Sequence, residues 1–186
     1  MIGGPVGTAV LVIDVQRALV EPPHDVVDAD GLVTRLGRLL DRARSAGVLV
    51  IHVQDDGDAD PSIERGTPGW ELVLPVPDGD VVVAKTGDDA FDGTGLHALL
   101  TSRGVDTVVV VGIQSEMCVL ATARTAQSRG FEVVLPRGGH TTYDVPADPP
   151  EVPAVPAAHV ARVVEWALGD QVRLPEIDKL DWARDR

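Results

Sequence analysis

The chain has 186 residues, 44% of them apolar, with a single cysteine and a formal net charge of −13. That length suits one domain, spanning 1–186 with a sizeable core at about 8–175 and a charged tail at 176–186. The acidic balance argues against nucleic acid or an anionic membrane as partner, and no apolar run approaches the roughly 18 residues of a membrane span. One cysteine permits no internal disulfide, and the opening MIGGPVG lacks the basic region and length of a signal peptide, so a cytoplasmic location is expected.

Thr8 to Val15, TAVLVIDV, reads as a first buried strand that carries Asp14 at its carboxyl end. An acid there faces the crevice where open α/β sheets bind ligands, or else caps the following turn. Gln16 comes next, then a loop at 20–30 containing Pro22 and Pro23. Gly31 to Ala46 is predicted helical, with Leu32, Leu36, Leu39, Leu40 and Ala43 on one face, arginines on the other, and Gly47 as its stop. Val48 to Val53 is a second strand with His52 inside it. Gln54 to Asp80 is a long polar loop holding DDGDAD and GTPGWEL, and loops of that length tend to be functional. The acidic run lacks a calcium loop's final Glu, which would fall on Gly66, so it reads as a solvated turn. Trp70 either walls a pocket or pins the loop.

Asp80 to Lys85 is a third strand. The chain has two lysines, Lys85 and Lys179, against fourteen arginines, and lysine, unlike arginine, can tune its pKa. A loop with Phe91 leads to a helix from Thr94 to Gly104. Val108 to Val111 is a continuous apolar run, as expected of a central parallel strand buried on both faces. Gly112 closes it, Ser115 and Glu116 suit a helix start, and the helix runs to about Arg129. Cys118 falls at that start, where helix N–H groups favour a thiolate; a lone cysteine is also a common small buried apolar residue. Phe131 to Leu135 is a fifth strand, and Gly138 to Asp144 is a loop with His140 near the same rim. Pro146 to Pro156 is proline-rich, Ala157 to Leu168 is a last helix, and Val172 to Leu174 is a short final strand.

Alternating strands and helices predict a three-layer α/β/α fold around a parallel sheet. Neither G-x-G-x-x-G after the first strand nor G-x-x-x-x-G-K-[ST] occurs, which weakens dinucleotide and P-loop readings. Strand ends on one edge bring together Asp14, Lys85 and Cys118: a base, a cation and a nucleophile, the parts needed for covalent acyl transfer. Backbone N–H groups at Gln114 to Cys118 are placed to serve as an oxyanion hole.

VLVIDVQ (10–16), VVVAKTGDDAFDGTGLHALL (81–100) and VVVVGIQSEMCVLATARTA (108–126) resemble the ordered blocks of the isochorismatase-like cysteine hydrolases. GTPGWEL and GGHTTYD further resemble the branch that contains streptothricin hydrolase. The resemblance implies a catalytic triad of Asp14, Lys85 and Cys118 and a six-stranded parallel sheet of order 3-2-1-4-5-6, with the oxyanion hole expected at Gln114 and Cys118 from their backbone N–H groups. It also implies a cis peptide at Ile113–Gln114. Gln16, Trp70, Phe91 and His140 are the candidate pocket residues. The aromatic residue that many members carry after D-x-Q is missing, the run here being RALV. HVQDDGDAD lacks the Asp-x-His…His metal site of nicotinamidases, so no metal and no cofactor are expected.

The reading is a cysteine amidohydrolase of a small amide or lactam, with a small-molecule substrate, neither nucleic acid nor membrane as partner, and a homo-oligomeric state, dimer or tetramer. The alternatives are an isochorismatase-type vinyl-ether hydrolase, whose chemistry in this fold does not need the cysteine, and a non-catalytic binding or redox-sensing domain that keeps the fold. A single Cys without a resolving partner weakens the last.

Overall fold

A computed structural model of the chain describes residues 7–57, 61–148, 151–180 and 182. The opening 1–6, residues 58–60 of the acidic run, 149–150 of the proline-rich stretch, and 181 and 183–186 of the tail lie outside the described residues. The strands are β1 (Gly7–Ile13), β2 (Leu49–Asp55), β3 (Val81–Lys85), β4 (Val105–Ile113), β5 (Glu132–Val134) and β6 (His140–Thr141). The helices are α1 (Arg17–Val20), α2 (Ala29–Ser45), α3 (Leu96–Ser102), α4 (Leu120–Ser128) and α5 (Ala157–Ala167). A wide π-type turn, Ser115–Val119, leads into α4.

The apolar runs are continuous because both faces of the sheet are covered. Successive side chains of a strand point to opposite faces. Ala9, Leu11 and Ile13 of β1 join Val108 and Val110 of β4 in a core with Leu96 and Leu100 of α3, Ala123 and Ala126 of α4, and Val164 of α5. Val10, Val12, Val109 and Val111 face the other way, onto Leu32, Leu36, Leu39, Leu40 and Ala43 of α2. The predicted apolar face of that helix is the buried one. Each such Leu or Val contributes roughly 1.5–3 kcal/mol by leaving water. Charging any residue of the Val108 to Val111 run would place an unpaired ion against a helix on whichever face it took.

All pairings between named strands are parallel, in the order β3-β2-β1-β4-β5. The sixth strand differs from the expected order 3-2-1-4-5-6. β5 pairs with β4 only as far as Val109, and β6 takes up the same edge further along, opposite Gly112 and Ile113. GGHTTYD, expected as a loop, therefore supplies a short strand; its glycines and polar residues hide that role. The segment 172–174 does lie outside β5, through parallel bridges Val134–Arg173 and Arg137–Glu176. It forms no continuous strand: Pro175 between the bridges has no N–H to give to a ladder.

Gly112 is required where it stands. Its φ is +122°, and a Cβ there would strike the backbone oxygen of Ile13 on the neighbouring strand. Only glycine tolerates both conditions. β1 and β4 consequently close tightly at the point where the chain leaves each of them for the site.

Candidate active site

Three adjacent strands end side by side, in the order β3, β2, β1. Lys85 is the last residue of β3 and pairs in register with Asp55, the last of β2. Asp14 follows β1 directly; its backbone N–H donates to Val53 O at 3.0 Å and its φ is +52°. Cys118 comes from the fourth strand by way of the π-type turn, in which Met117 departs from helical geometry (φ −110°, ψ −105°). The Ile113–Gln114 peptide that begins this turn is cis, as the resemblance implied.

The Lys85 side chain reaches over β2 to join these ends. Its Nζ lies 2.9 Å from Asp14 Oδ2, 3.1 Å from Asp55 Oδ2 and 3.4 Å from Cys118 Sγ. An ammonium has three N–H donors, so each has one partner. Asp88, in the loop after β3, places Oδ1 3.8 Å from Cys118 Sγ. The second oxygen of Asp14, Oδ1, is buried with no hydrogen-bond partner.

These neighbours set the protonation of the cluster. Burial pushes the Asp14 carboxyl up to about 6, with Lys85 pulling the other way. Burial pushes the Cys118 thiol above its ordinary range, Asp14 adds to that, and Lys85 offsets part of it. Burial alone would depress Lys85, but the charges of Asp14, a Cys118 thiolate and Asp55 outweigh it and hold the ammonium protonated. At neutral pH the cluster therefore rests as a neutral thiol beside a carboxylate and an ammonium. The thiolate favoured by a helix start is overruled by burial and by the adjacent carboxylate.

A cavity of about 210 Å³ opens over the cluster. Asp14, Asp55, Asp88 and Cys118 supply its polar wall; Leu19, Ile63, Ile113 and Met117 its apolar one. Gln114 also lines it. Leu19, from the RALV run, lines the cavity where the resemblance implies an aromatic residue. Asp55 opens the acidic run whose composition reads as a solvated turn, and that composition masks it as a site residue. The signal was present: strand periodicity continued to Asp55 puts it on the same edge as Asp14 and Lys85.

The four candidate pocket residues lie outside the cavity wall. Gln16 is fully buried, with its Nε2 donating to Asp55 O (2.9 Å) and Trp70 O (3.1 Å) and its Oε1 accepting from Asp55 N–H (2.9 Å). It clasps the backbone of Asp55 from both sides. Trp70 pins the long loop, donating Nε1–H to Asp56 Oδ1 at 3.1 Å beneath the Arg65 guanidinium. Phe91 is a core residue stacked on Phe131 at 6.0 Å. His140 is buried in β6, its Nδ1 2.8 Å from Ser115 Oγ, and burial lowers its pKa to about 4. It braces the π-type turn from behind. His52, inside β2, is fully buried with Nε2 3.1 Å from Asp80 Oδ2, which also pairs with Arg44 at 2.7 Å. Among the described residues no three His, Cys, Asp or Glu side chains are grouped to hold a metal ion, and no helix is long and apolar enough to cross a membrane.

The fold and the site together are a parallel α/β sheet with a buried thiol, carboxylate and ammonium gathered at one edge. Residues 8–149 match the isochorismatase domain family, and the chain belongs to it. It is 52% identical over 168 residues to a streptothricin hydrolase of Streptomyces noursei, covering 89% of this chain and 67% of that one. It is 30% identical over 162 residues to the ureidoacrylate amidohydrolase RutB of Rhizobium rhizogenes, covering 66% and 65% of the two chains. The chain thus spans about two thirds of the length of these curated relatives. Among solved structures, a cysteine hydrolase from Pseudomonas syringae superposes with a TM-score of 0.85 at 27% identity, over 95% of this chain and 91% of the other.

Proposed function

We propose that this hydrolase cleaves the C–N bond of a small amide or lactam through a covalent acyl-enzyme on Cys118, with Asp14 and Lys85 completing the triad. The observation that carries the reading is the single ammonium of Lys85 lying 2.9 Å from Asp14 and 3.4 Å from Cys118, two residues that line the cavity. Sγ attacks the amide carbonyl carbon while its proton passes to the Asp14 carboxylate. Carbonyl electrons move onto oxygen, and backbone N–H groups at Gln114 and Cys118 receive the oxyanion. As the tetrahedral intermediate collapses, the C–N bond breaks and the amine leaves with the proton held on Asp14. Water then attacks the thioester and gives a proton to Asp14, which returns it to the departing sulfur. Acid, amine and free thiol are the products.

The electrostatics support this sequence. A carboxyl held near 6 is close to the pKa that serves both as base and as acid at neutral pH. Proton transfer from thiol to Asp14 leaves the net charge of the buried cluster unchanged, whereas losing that proton to solvent adds a negative charge. Two observations favour an amide over isochorismate. Asp14, Asp55 and Asp88 line the cavity while Lys85, the cation beside it, is buried and already shared; a dicarboxylate meets repulsion there. The similarity to a streptothricin hydrolase and to an amidohydrolase points the same way.

The test is a panel of primary amides, lactams and isochorismate with the purified protein, quenched in acid for intact-mass measurement. Amine release with an acyl adduct on Cys118 is expected. Cleavage of isochorismate alone, at equal rate by wild type and Cys118→Ala, would overturn the reading. We further propose a small-molecule partner and a homo-oligomeric state for the active enzyme, the latter read by light scattering at working concentration; a monomer that is fully active would refute it.

A further inference from the structure

We propose that Asp55 is a positioning residue: its carboxylate fixes the Lys85 ammonium between Asp14 and Cys118 and limits how much of that charge reaches the thiol.

The geometry leaves little freedom. Lys85 has no exposed side-chain surface, so water does not complete its hydrogen bonds. Without Asp55 the third N–H would be a buried unsatisfied donor on a charged group, a costly state. With Asp55 in place the ammonium is held on three sides, from β1, β2 and the π-type turn. Asp55 is itself held on three sides. Its Oδ1 accepts from Gly57 N–H at 2.9 Å, its backbone N–H donates to Gln16 Oε1, and its carbonyl accepts from Gln16 Nε2. A chain of contacts therefore runs from Gln16 through Asp55 to Lys85 and on to the thiol.

The second consequence is electrostatic. The charged groups facing Cys118 are Asp14 after β1, Lys85 on β3 and Asp88 after β3, with Asp55 on β2 acting through Lys85. With a neutral thiol, the three groups joined at the ammonium, Asp14, Asp55 and Lys85, sum to one negative charge, and the exposed Asp88 stands beside them. Ionising the thiol into solvent would add another within the same buried volume. Removing the Asp55 charge relaxes that opposition and leaves Lys85 to Asp14 and Cys118 alone. The Asp14 carboxyl, which Asp55 also pushes upward, comes down with it. Asp55 thus adds, through Lys85, to the burial and the Asp14 charge that keep the thiol protonated until Asp14 takes its proton.

The experiment is the pH dependence of iodoacetamide alkylation at Cys118 in wild type and Asp55→Asn, which needs no substrate and so does not depend on the amide reading. The expected result is a midpoint about one pH unit lower in the variant, or about tenfold faster alkylation at a fixed pH below both midpoints. Asp55→Glu, which restores the charge, should move the profile back toward wild type. Where an amide substrate is in hand, Asp55→Asn should also move the acid limb of kcat/KM to lower pH and reduce kcat more than it changes KM. If Asp55→Asn does not fold, Asp55→Ser removes the same charge and gives the same readout. Alkylation profiles that superimpose on wild type overturn the proposal, even if the variant melts earlier, because a merely structural role would lower the melting temperature without moving the midpoint.

Discussion

Lys85 and Asp14 form an ion pair at 2.9 Å although their strands are not neighbours: β2 lies between β3 and β1. Both side chains are at most 3% exposed. The pair spans the strand that carries Asp55, which explains why a third residue is drawn into the contact. Breaking a buried pair by removing one partner typically costs about 3–5 kcal/mol because the other charge is stranded. Variants at these positions therefore need a check of folding beside any check of rate.

If the three residues act as a unit, their losses will not add. Cys118→Ala should abolish amide turnover, and Asp14→Asn and Lys85→Met should each lower kcat by about 10²–10⁴. The double variant Cys118→Ala/Asp14→Asn should be no slower than Cys118→Ala alone. Steady-state kinetics on the best amide of the panel decides it. Losses that multiply across the double variant would show independent roles.

The thiol should respond in opposite directions to its two charged neighbours. Asp14 pushes Cys118 up and Lys85 pulls it down. Asp14→Asn should therefore lower the midpoint of iodoacetamide alkylation, and Lys85→Met should raise it. Three coincident profiles would mean that these groups share no site in solution.

His140 predicts a pH dependence of stability. Its pKa falls from 6.5 to about 4 on burial, so the folded state binds fewer protons than the unfolded state between those values. Stability then rises with pH across that window and is lost as pH falls through it, by an amount on the order of 3 kcal/mol at most. Asp14, raised from 3.8 to about 6, acts with the opposite sign over much of the same range: its contribution falls as pH rises. The informative quantity is thus the difference between wild type and His140→Gln in denaturant melts from pH 4 to pH 7. The wild type should lose ground to the variant as pH falls; a difference that stays constant would falsify the assignment.

Gln16→Leu tests the brace. The change removes the side-chain partners of Asp55 N–H and Asp55 O, while Trp70 O keeps the bond from Gln54 Nε2, for a cost of about 1–3 kcal/mol per unsatisfied group. Because Gln16 lies outside the cavity wall, kcat should fall through Asp55 and Lys85 while KM changes little. A raised KM with unchanged kcat would instead put the Gln16 amide in contact with substrate.

Much of the fold was readable in advance, because a parallel sheet covered on both faces demands local patterns that any short window displays. TAVLVI and VVVV are continuous apolar runs, and the leucines of α2 recur at helical spacing. Asp14, Lys85 and Cys118 were legible for the same reason: each follows or ends such a run, and strands of one direction end on one edge. What the local pattern does not carry is how far each strand pairs. β5 stops early and leaves an edge of β4 open, so His140 and Thr141 become a strand that their own composition does not announce. The roles of Gln16, Phe91, Trp70 and His140 were likewise decided in three dimensions. Each is a residue type at home in a pocket, but whether a side chain faces a cavity or a neighbouring backbone depends on distances across 39 residues for Gln16 and Asp55 and 25 for Ser115 and His140. Asp55 shows the same limit most plainly. In sequence it opens a run of acids that water would solvate, and only the Lys85 ammonium, arriving across the sheet from 30 residues away, makes it part of the site.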